Sequence, residues 1–340
     1  MTSWGTVSAI LLASSFLLCT CLLSNIFILE AVLRRKPASP RGIPTNEVVI
    51  SNLALVSLLN GVANFLWLVV YLLGLCQHTG GWVYQVLDFA SMTAASTSFW
   101  FTACLSAFYT LRISSFSPLC LARLRLRVPA AMPCILLFLF LACSALSGPT
   151  ITFVNLTPAN GSDLHCGDYY EISEGYESYI VSFTILGFML PLAALTTCSI
   201  LLVVSLCLHS RRMGGRLGGS RNAVHLRVAK MVLVLLAFYA ICVVLVQISD
   251  HLYVASGGGS VWFVTYSFVL LAYSAGCPVA LTWGTVRLHQ RFLELCSLMG
   301  CRKTRGFKDG SVISVQPNAP KDAESCTPGD GKSVFVMSVD

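Results

Sequence analysis

Charge is scarce in this chain. Only 11% of its 340 residues are Asp, Glu, Lys or Arg, and 56% are hydrophobic. Soluble globular domains carry about 25% charged residues. A chain this apolar cannot cover a water-facing surface, which excludes an ordinary soluble domain and points to an integral membrane protein. Chemical machinery is missing too. No set of His and Cys has zinc spacing, and no Ser-His-Asp grouping is placed for hydrolysis. GGRLGG at 214–219 lacks both the Gly-Lys-Ser/Thr ending and the preceding strand of a phosphate loop. No enzyme, metal site or cofactor is therefore expected. No internal repeat is detected, which counts against a transporter built from repeated halves. Ionisable residues within the apolar runs are few, namely Glu30, Asp88 and Asp250, whereas pumps and ion-coupled carriers need such groups near the midplane.

What is present is long apolar runs. Seven appear, at roughly 7–33, 47–74, 83–111, 129–148, 178–208, 225–252 and 261–284, each long enough for the ~20 helical residues that cross a bilayer. Helices satisfy their own backbone hydrogen bonds, as lipid requires. The expected fold is an all-α membrane protein, a seven-helix bundle over residues 7–301, after an outer N-terminal segment 1–6.

The positive charges set an orientation. All 22 Lys and Arg residues fall on one side: Arg34, Arg35, Lys36 and Arg41 after span one; Arg112, Arg123, Arg125 and Arg127 between spans three and four; Arg211, Arg212, Arg216, Arg221, Arg227 and Lys230 around the five–six connection; the remainder from Arg287 onward. The opposite connections have none. By the positive-inside rule the basic side is cytoplasmic, so the N-terminus is expected outside and the tail inside. The net charge of +7 is then a topology signal and not a sign of nucleic-acid binding. The N-terminus lacks a basic n-region, and its apolar run is too long for a signal h-region, so it reads as a first span.

The long outer connection, about 149–177, carries Asp163, Asp168, Glu171, Glu174 and Glu177 and two glycosylation acceptors at Asn155 and Asn160. Of the 15 cysteines only Cys76 and Cys166 fall in outer connections. A disulfide between them is one reading, since the outside is oxidising, and two free thiols are the other. Cysteines within spans read as small apolar filler. After span seven, VRLHQRFLELCSLMGC places Leu288, Phe292, Leu295 and Met299 on one helical face. That predicts an amphipathic helix on the inner leaflet, with Cys296 and Cys301 either open to palmitoylation or unmodified. Residues 302–340 change to Lys, Asp, Ser, Pro and Gly and read as a disordered cytoplasmic tail.

The most specific stretch ends span three. Cys104-Leu105-Ser106-Ala107-Phe108-Tyr109-Thr110-Leu111-Arg112-Ile113-Ser114-Ser115-Phe116-Ser117 resembles the third-helix signature of the type 2 (bitter) taste receptors, Leu-Ser-x-Phe-Tyr-x-Leu-Lys-Ile-Ala-x-Phe-Ser. Leu202 to Met213 is similar to the end of that family's helix five, Ala223 to Tyr239 to the start of helix six, and Leu281-Thr282-Trp283-Gly284 with Arg287-Leu288-His289-Gln290 to the end of helix seven. Asn25 before Ile26-Phe27-Ile28 is similar to the helix-one motif. The departures lie elsewhere. The usual helix-two Arg is replaced near Leu58, the helix-three Asn falls at Ala95, a nearby Trp at Ser91, and the helix-seven His-Ser at Cys277-Pro278. They imply a divergent branch. The vomeronasal type 1 receptors are the nearest alternative, but Tyr109 stands where their third helix carries Gln. A small-solute transporter or channel is the alternative from another class.

The resemblance implies a G-protein-coupled chemosensory receptor in the plasma membrane. A small-molecule ligand would bind at the outer end and a heterotrimeric G protein at the inner end. Pockets in bundles are mostly apolar with a few polar groups. That nominates Trp67, Tyr71, Asp88, Ser91, Met92, Ala95, Tyr179, Phe183, Gln247, Asp250, His251, Trp262 and Tyr266 as ligand-binding residues. The outer side has acids and no Lys or Arg, which favours a cationic amphipathic ligand. On the inner side Tyr109, Arg112, His209, Arg211, Arg212, His225 and Lys230 are expected to touch the G protein or hold its docking cleft.

Overall fold

A computed structural model describes residues 4–34, 44–75, 78, 81–113, 119–156, 170–172, 175–212, 220–255 and 260–304. The apolar runs form helices throughout. In chain order these are α1 (Trp4–Leu33), α2 (Thr45–Leu72), α3 (Gly81–Ile113), α4 (Leu119–Ser147) and the single-turn α5 (Thr150–Phe153). The fifth long body is composite: α6 (Tyr176–Thr184), a π-helical turn (Ile185–Met189) and α7 (Leu190–Arg212). Then come α8 (Ser220–Ala255), α9 (Ser260–Gly284) and the amphipathic α10 (Val286–Thr304). The expected seven-helix architecture is therefore borne out, as a multi-pass membrane bundle. The helix ends bearing Arg34, Arg112, Arg127, Lys230 and Arg287 define one end of it, called here the basic end.

Six of the seven bodies are apolar enough to cross a membrane on composition alone, and α3 is the exception. Its position explains this. Residues 91–99, Ser-Met-Thr-Ala-Ala-Ser-Thr-Ser-Phe, are all buried, on every face of the helix. α3 packs against α2, α4, α5, the π turn, α7 and α8. Its hydroxyls therefore face protein, where several bond back to their own helix: Ser96 to the Met92 carbonyl at 2.9 Å, Thr102 to Ser98 at 2.8 Å and Thr110 to Ser106 at 2.9 Å. A central helix need not be lipid-like, because a buried polar group with a partner costs little.

The π turn has a local cause. Pro191 follows it, and a proline has no N–H and crowds the carbonyl four residues earlier. Widening the preceding turn relieves the crowding, as at other π-bulges. Two carbonyls in this segment take side-chain donors instead. Trp100 Nε1 of α3 donates to Leu186 O at 3.2 Å, and the Tyr239 hydroxyl of α8 donates to Phe188 O at 2.7 Å. Three helices are tied at one level by this repair.

The connection after α5 adds an element the sequence pattern did not reveal. Val154–Leu156 (β1) pairs antiparallel with Tyr170–Ile172 (β2), with Asn155 opposite Glu171. At the basic end Glu30 and Arg34 pair at 2.8 Å, as their spacing predicts, though both are solvent-exposed. The amphipathic helix is also borne out. Its Leu288 is buried, and its Phe292 ring meets Phe27 of α1 edge-on at 6.0 Å. Arg287 pairs with Glu47 of α2 at 3.0 Å. α1 approaches α2 closely at Gly61, where a Cβ would stand 2.7 Å from Cys21 Sγ. The candidate pair Cys76 and Cys166, bridged or free, the sequon at Asn160 and the tail from 305 lie outside the described residues. Asn155 sits in β1, but its side chain is outside the described set.

Candidate functional site

Two clusters sit at opposite ends of the bundle, and a row of rings descends from one of them to the centre. At the end away from the basic residues, α2 contributes Trp67, Val70 and Tyr71, and α3 contributes Tyr84; Leu87 of α3, Tyr176 of α6 and Val264 of α9 pack around them. Trp67 stacks on Tyr71 at 5.5 Å with the rings nearly parallel, and meets Tyr84 at 5.4 Å. One turn further along α3, Asp88 is only partly exposed and lies close enough to Tyr179 for the two groups to interact electrostatically. No described residue forms an ion pair with its carboxylate. The Tyr266 hydroxyl of α9 donates to Met92 Sδ at 3.8 Å.

The nominated residues therefore separate into groups. Trp67 and Tyr71 share one aromatic cluster. Asp88 lies in the neighbourhood of Tyr179, whose hydroxyl donates to Leu146 O at 3.0 Å, and Tyr266 meets Met92. Ser91, Ala95 and Phe183 are buried deeper, with Ala95 and Phe183 fully enclosed. Gln247 of α8 has its Nε2 buried without a hydrogen-bond acceptor among the described residues, so it retains a donor to offer. His251 is exposed, and the side chains of Asp250 and Trp262 are outside the described set.

From this end a continuous row of ring contacts descends into the core. Phe153 of α5 lies 5.4 Å from Tyr179, which meets Phe183 at 6.2 Å; Phe183 meets Phe188 of the π turn at 5.4 Å. Phe188 meets Phe99 of α3 at 5.2 Å, and Phe99 stacks on Tyr239 at 4.1 Å and lies 4.6 Å from Tyr273 of α9. The Tyr273 and Thr102 hydroxyls are 3.0 Å apart. Beside them Asn60 of α2 donates to Ser274 at 2.7 Å and Asn64 donates to Asn60 Oδ1 at 2.8 Å. Sequence reading missed Phe99, Phe188, Tyr239 and Tyr273. For Tyr239 and Tyr273 the available signal was a phenol inside an otherwise apolar membrane helix, which needs a buried partner; Phe99 and Phe188 carried no such signal.

The basic end is built differently. Tyr109 is buried, and its hydroxyl reaches Thr285, just past α9, and Asn46 of α2. It therefore braces three segments and does not project from the surface. Thr285 Oγ1 also reaches Met231 Sδ of α8 at 3.9 Å. Met231 fills the notch at Gly284, where a Cβ would stand 2.2 to 2.4 Å from three Met231 atoms. Only glycine permits that approach of α8 to α9. Arg112 and Lys230 are exposed. His209, Arg211, Arg212 and His225 lie on α7 and α8, with side chains outside the described set. Cys296 of α10 is exposed, and the Cys301 side chain is outside the described set. Among the described residues no group of His, Cys, Asp or Glu could hold a metal.

Comparison with known proteins places this arrangement. The chain is 30% identical over 158 residues to taste receptor type 2 member 2 of Homo sapiens, a stretch covering 44% of this chain and 51% of that one. It is 29% identical over 204 residues to taste receptor type 2 member 31 of Pan troglodytes, covering 58% and 64%. Against taste receptor type 2 member 136 of Mus musculus it is 28% identical over 200 residues, covering 57% and 63%. The matched stretches thus span about half to two-thirds of those relatives' lengths. The family described as Taste receptor protein (TAS2R) matches residues 1–299, from the start of α1 into α10, and the chain belongs to that family.

Proposed function

We propose that the protein is a chemosensory receptor of the bitter taste type. It would bind small amphipathic compounds at the end away from the basic residues and activate a heterotrimeric G protein at the basic end. The observation that carries this reading is a row of rings leading inward from the aromatic end. The ring row from Phe153 to Tyr273 runs from the neighbourhood of Asp88 to the bundle centre, through the π turn. A ligand that prefers one packing of these rings would bias the bundle, and a partner that prefers the same packing would add to that bias. Packed side chains switch between arrangements and do not deform smoothly.

The orientation follows from charge. With the basic end cytoplasmic, the N-terminus and the Asn155 and Asn160 sequons face outward, and Cys296 and Cys301 sit at the inner leaflet. The membrane is the plasma membrane. Asp88, with Tyr179 and Gln247 near the outer end, favours ligands that carry an ammonium group on an apolar body, since ring faces and a carboxylate both attract cations. Ser91 and Ala95 replace larger residues of the family pattern, so the ligand range differs from that of relatives. Tyr109 holds the inner cleft, and Arg112, Lys230, His209, Arg211, Arg212 and His225 border it.

The test is expression with a chimeric G protein and a screen of bitter compounds for calcium release. Ligand-dependent release that vanishes without the G protein supports the receptor. Ligand-dependent current that persists without it supports a channel and removes this reading.

A further inference from the structure

We propose that α8 works as a rigid lever pivoting at Tyr239, so that its basic end and its far end move in opposite directions. Sharp bends in helices arise at proline, at glycine or at π-bulges. α8 has none of these in its 36 residues, Ser220–Ala255. Its neighbours do: Pro278 lies inside α9, and the π turn interrupts the body that ends in α7. Bending is therefore closed to α8, and it moves as one piece. One directional tie holds it. From Met231 to Val246 the only hydroxyl or amide side chain is that of Tyr239. Its hydroxyl donates to Phe188 O at 2.7 Å, and its ring is fully enclosed and stacks on Phe99 at 4.1 Å. Phe238, the residue before it, lies over α9 so closely that a Cβ on Gly276 would stand 2.7 Å from its ring. At this level α8 is gripped by α3 and the π turn through Tyr239, and by α9 through Phe238.

Toward the basic end the seat is Met231 in the notch at Gly284. Which helix yields when that seat is disturbed follows from their other ties. The chain after Gly284 is anchored: Thr285 meets the Tyr109 hydroxyl, Arg287 pairs with Glu47 at 3.0 Å, Leu288 is buried and Phe292 meets Phe27. On α8, by contrast, Lys230, Leu233 and Val234 are exposed, and the contact of Thr285 Oγ1 with Met231 Sδ at 3.9 Å is a weak tie. α8 is therefore the part that moves. Its arms are equal. Met231 lies eight residues to one side of Tyr239 and Gln247 eight to the other, about 12 Å along the axis each way. A displacement at Met231 is returned at Gln247 with the same size and the opposite sense, which carries the state of the latch toward the aromatic end. Neither a ligand nor a G protein enters this inference, so it stands or falls apart from the reading above.

A wedge at the latch tests this. The full-length chain is placed in lipid nanodiscs with pairs of spin labels on introduced ketone side chains, which spare the native cysteines, and distances are read by pulsed electron resonance. Leu226 and Leu252 are both exposed and both thirteen residues from Tyr239. Their references are Leu33 and Leu12, exposed on α1, against which α9 also packs. Gly284→Ala places a Cβ 2.2 Å from Met231. Opening that to a contact of about 3.7 Å needs a shift of about 1.5 Å at Met231, or about 2–3 Å at Leu226. The Leu226–Leu33 distance should lengthen by that amount and the Leu252–Leu12 distance should shorten by as much. A pair at Leu23 and Ile241, which is exposed two residues from the pivot, should not change. Met231→Ala in the same chain should return all three pairs to their original values, which also shows that the fold survives. If Gly284→Ala does not reach the membrane, Met231→Phe, a larger knob on the native notch, is read at the same pairs with the same expectation. Lengthening at both ends would mean that α8 lifts off whole, and movement at Leu226 alone would mean that it bends. A shift of a label at Trp283 with α8 still would mean that α9 yields at Pro278. Each of these, or no change at any pair, would overturn the proposal.

Discussion

The two ends of this bundle solve the same packing problem with different materials. Away from the basic residues, the helices meet through large rings: Trp67, Tyr71 and Tyr84 in one group, Phe153, Tyr179 and Phe183 in another. Rings with centroids 5 to 6 Å apart are in contact, and offset or edge-on pairs of this kind hold by area and not by a single fixed seat. At the basic end the contact is a notch: Met231 sits where Gly284 has no side chain, and Tyr109 braces α3 against Thr285 and Asn46. Such a contact is either seated or broken. The difference teaches where adjustability and where commitment reside, a graded surface at one end and a latch at the other.

That contrast can be broken deliberately. The largest effect is expected from Tyr109→Ala, which removes the brace. Ligand-dependent calcium release should be lost in a variant that still reaches the surface, as judged by antibody staining of intact cells. Next is Gly284→Ala. The added Cβ cannot coexist with Met231 as placed, and overpacking of this kind costs about 1–3 kcal/mol. Relief by outward movement of α8 should raise ligand-independent signalling about tenfold, and Met231→Ala in the same chain should restore the basal level. Tyr239→Phe keeps the stacked ring but leaves the Phe188 carbonyl without its hydroxyl donor. Thermal unfolding in detergent should show a loss of about 1–3 kcal/mol.

Smaller changes sharpen the comparison. Asp88→Asn should raise the half-maximal concentration of amine agonists about fivefold, roughly 1 kcal/mol of cation attraction, while neutral agonists stay within error. Equal losses for both classes would remove the electrostatic account of the outer end. Glu47→Gln breaks the pair with Arg287, which is exposed on the arginine side. Such pairs contribute at most about 1 kcal/mol, so stability and signalling should barely change in the same assays.

How much of this was readable beforehand depends on how local the cause is. Helix lengths, the amphipathic α10 and the Glu30–Arg34 pair follow from runs and spacings along one segment. The third helix was recognisable from its Leu-Ser-Ala-Phe-Tyr signature, although its serines and threonines make it a poor membrane span by composition. Its polarity makes sense only once α3 is seen enclosed by its neighbours. The π turn needed Pro191 together with donors from Trp100 and Tyr239, which are remote in sequence. The β1–β2 pair was hidden for the same reason, since each strand has only three residues. At the candidate site, single residues such as Trp67 and Asp88 could be nominated from their height in the bilayer. Which of them face one another could not, because rotation of each helix is set by packing. Tyr109 illustrates the limit: its place in the signature marked it as important, but only the fold shows it buried and bracing.

The central claim is that the basic end faces the cytoplasm while the aromatic end faces outward. The most direct measurement is antibody access to an epitope fused at Met1 and to a second one fused after Asp340, in the same cells, before and after permeabilisation. The account predicts staining of the Met1 epitope on intact cells and of the Asp340 epitope only after permeabilisation. The reverse pattern would place the latch outside and the rings within, and would contradict it.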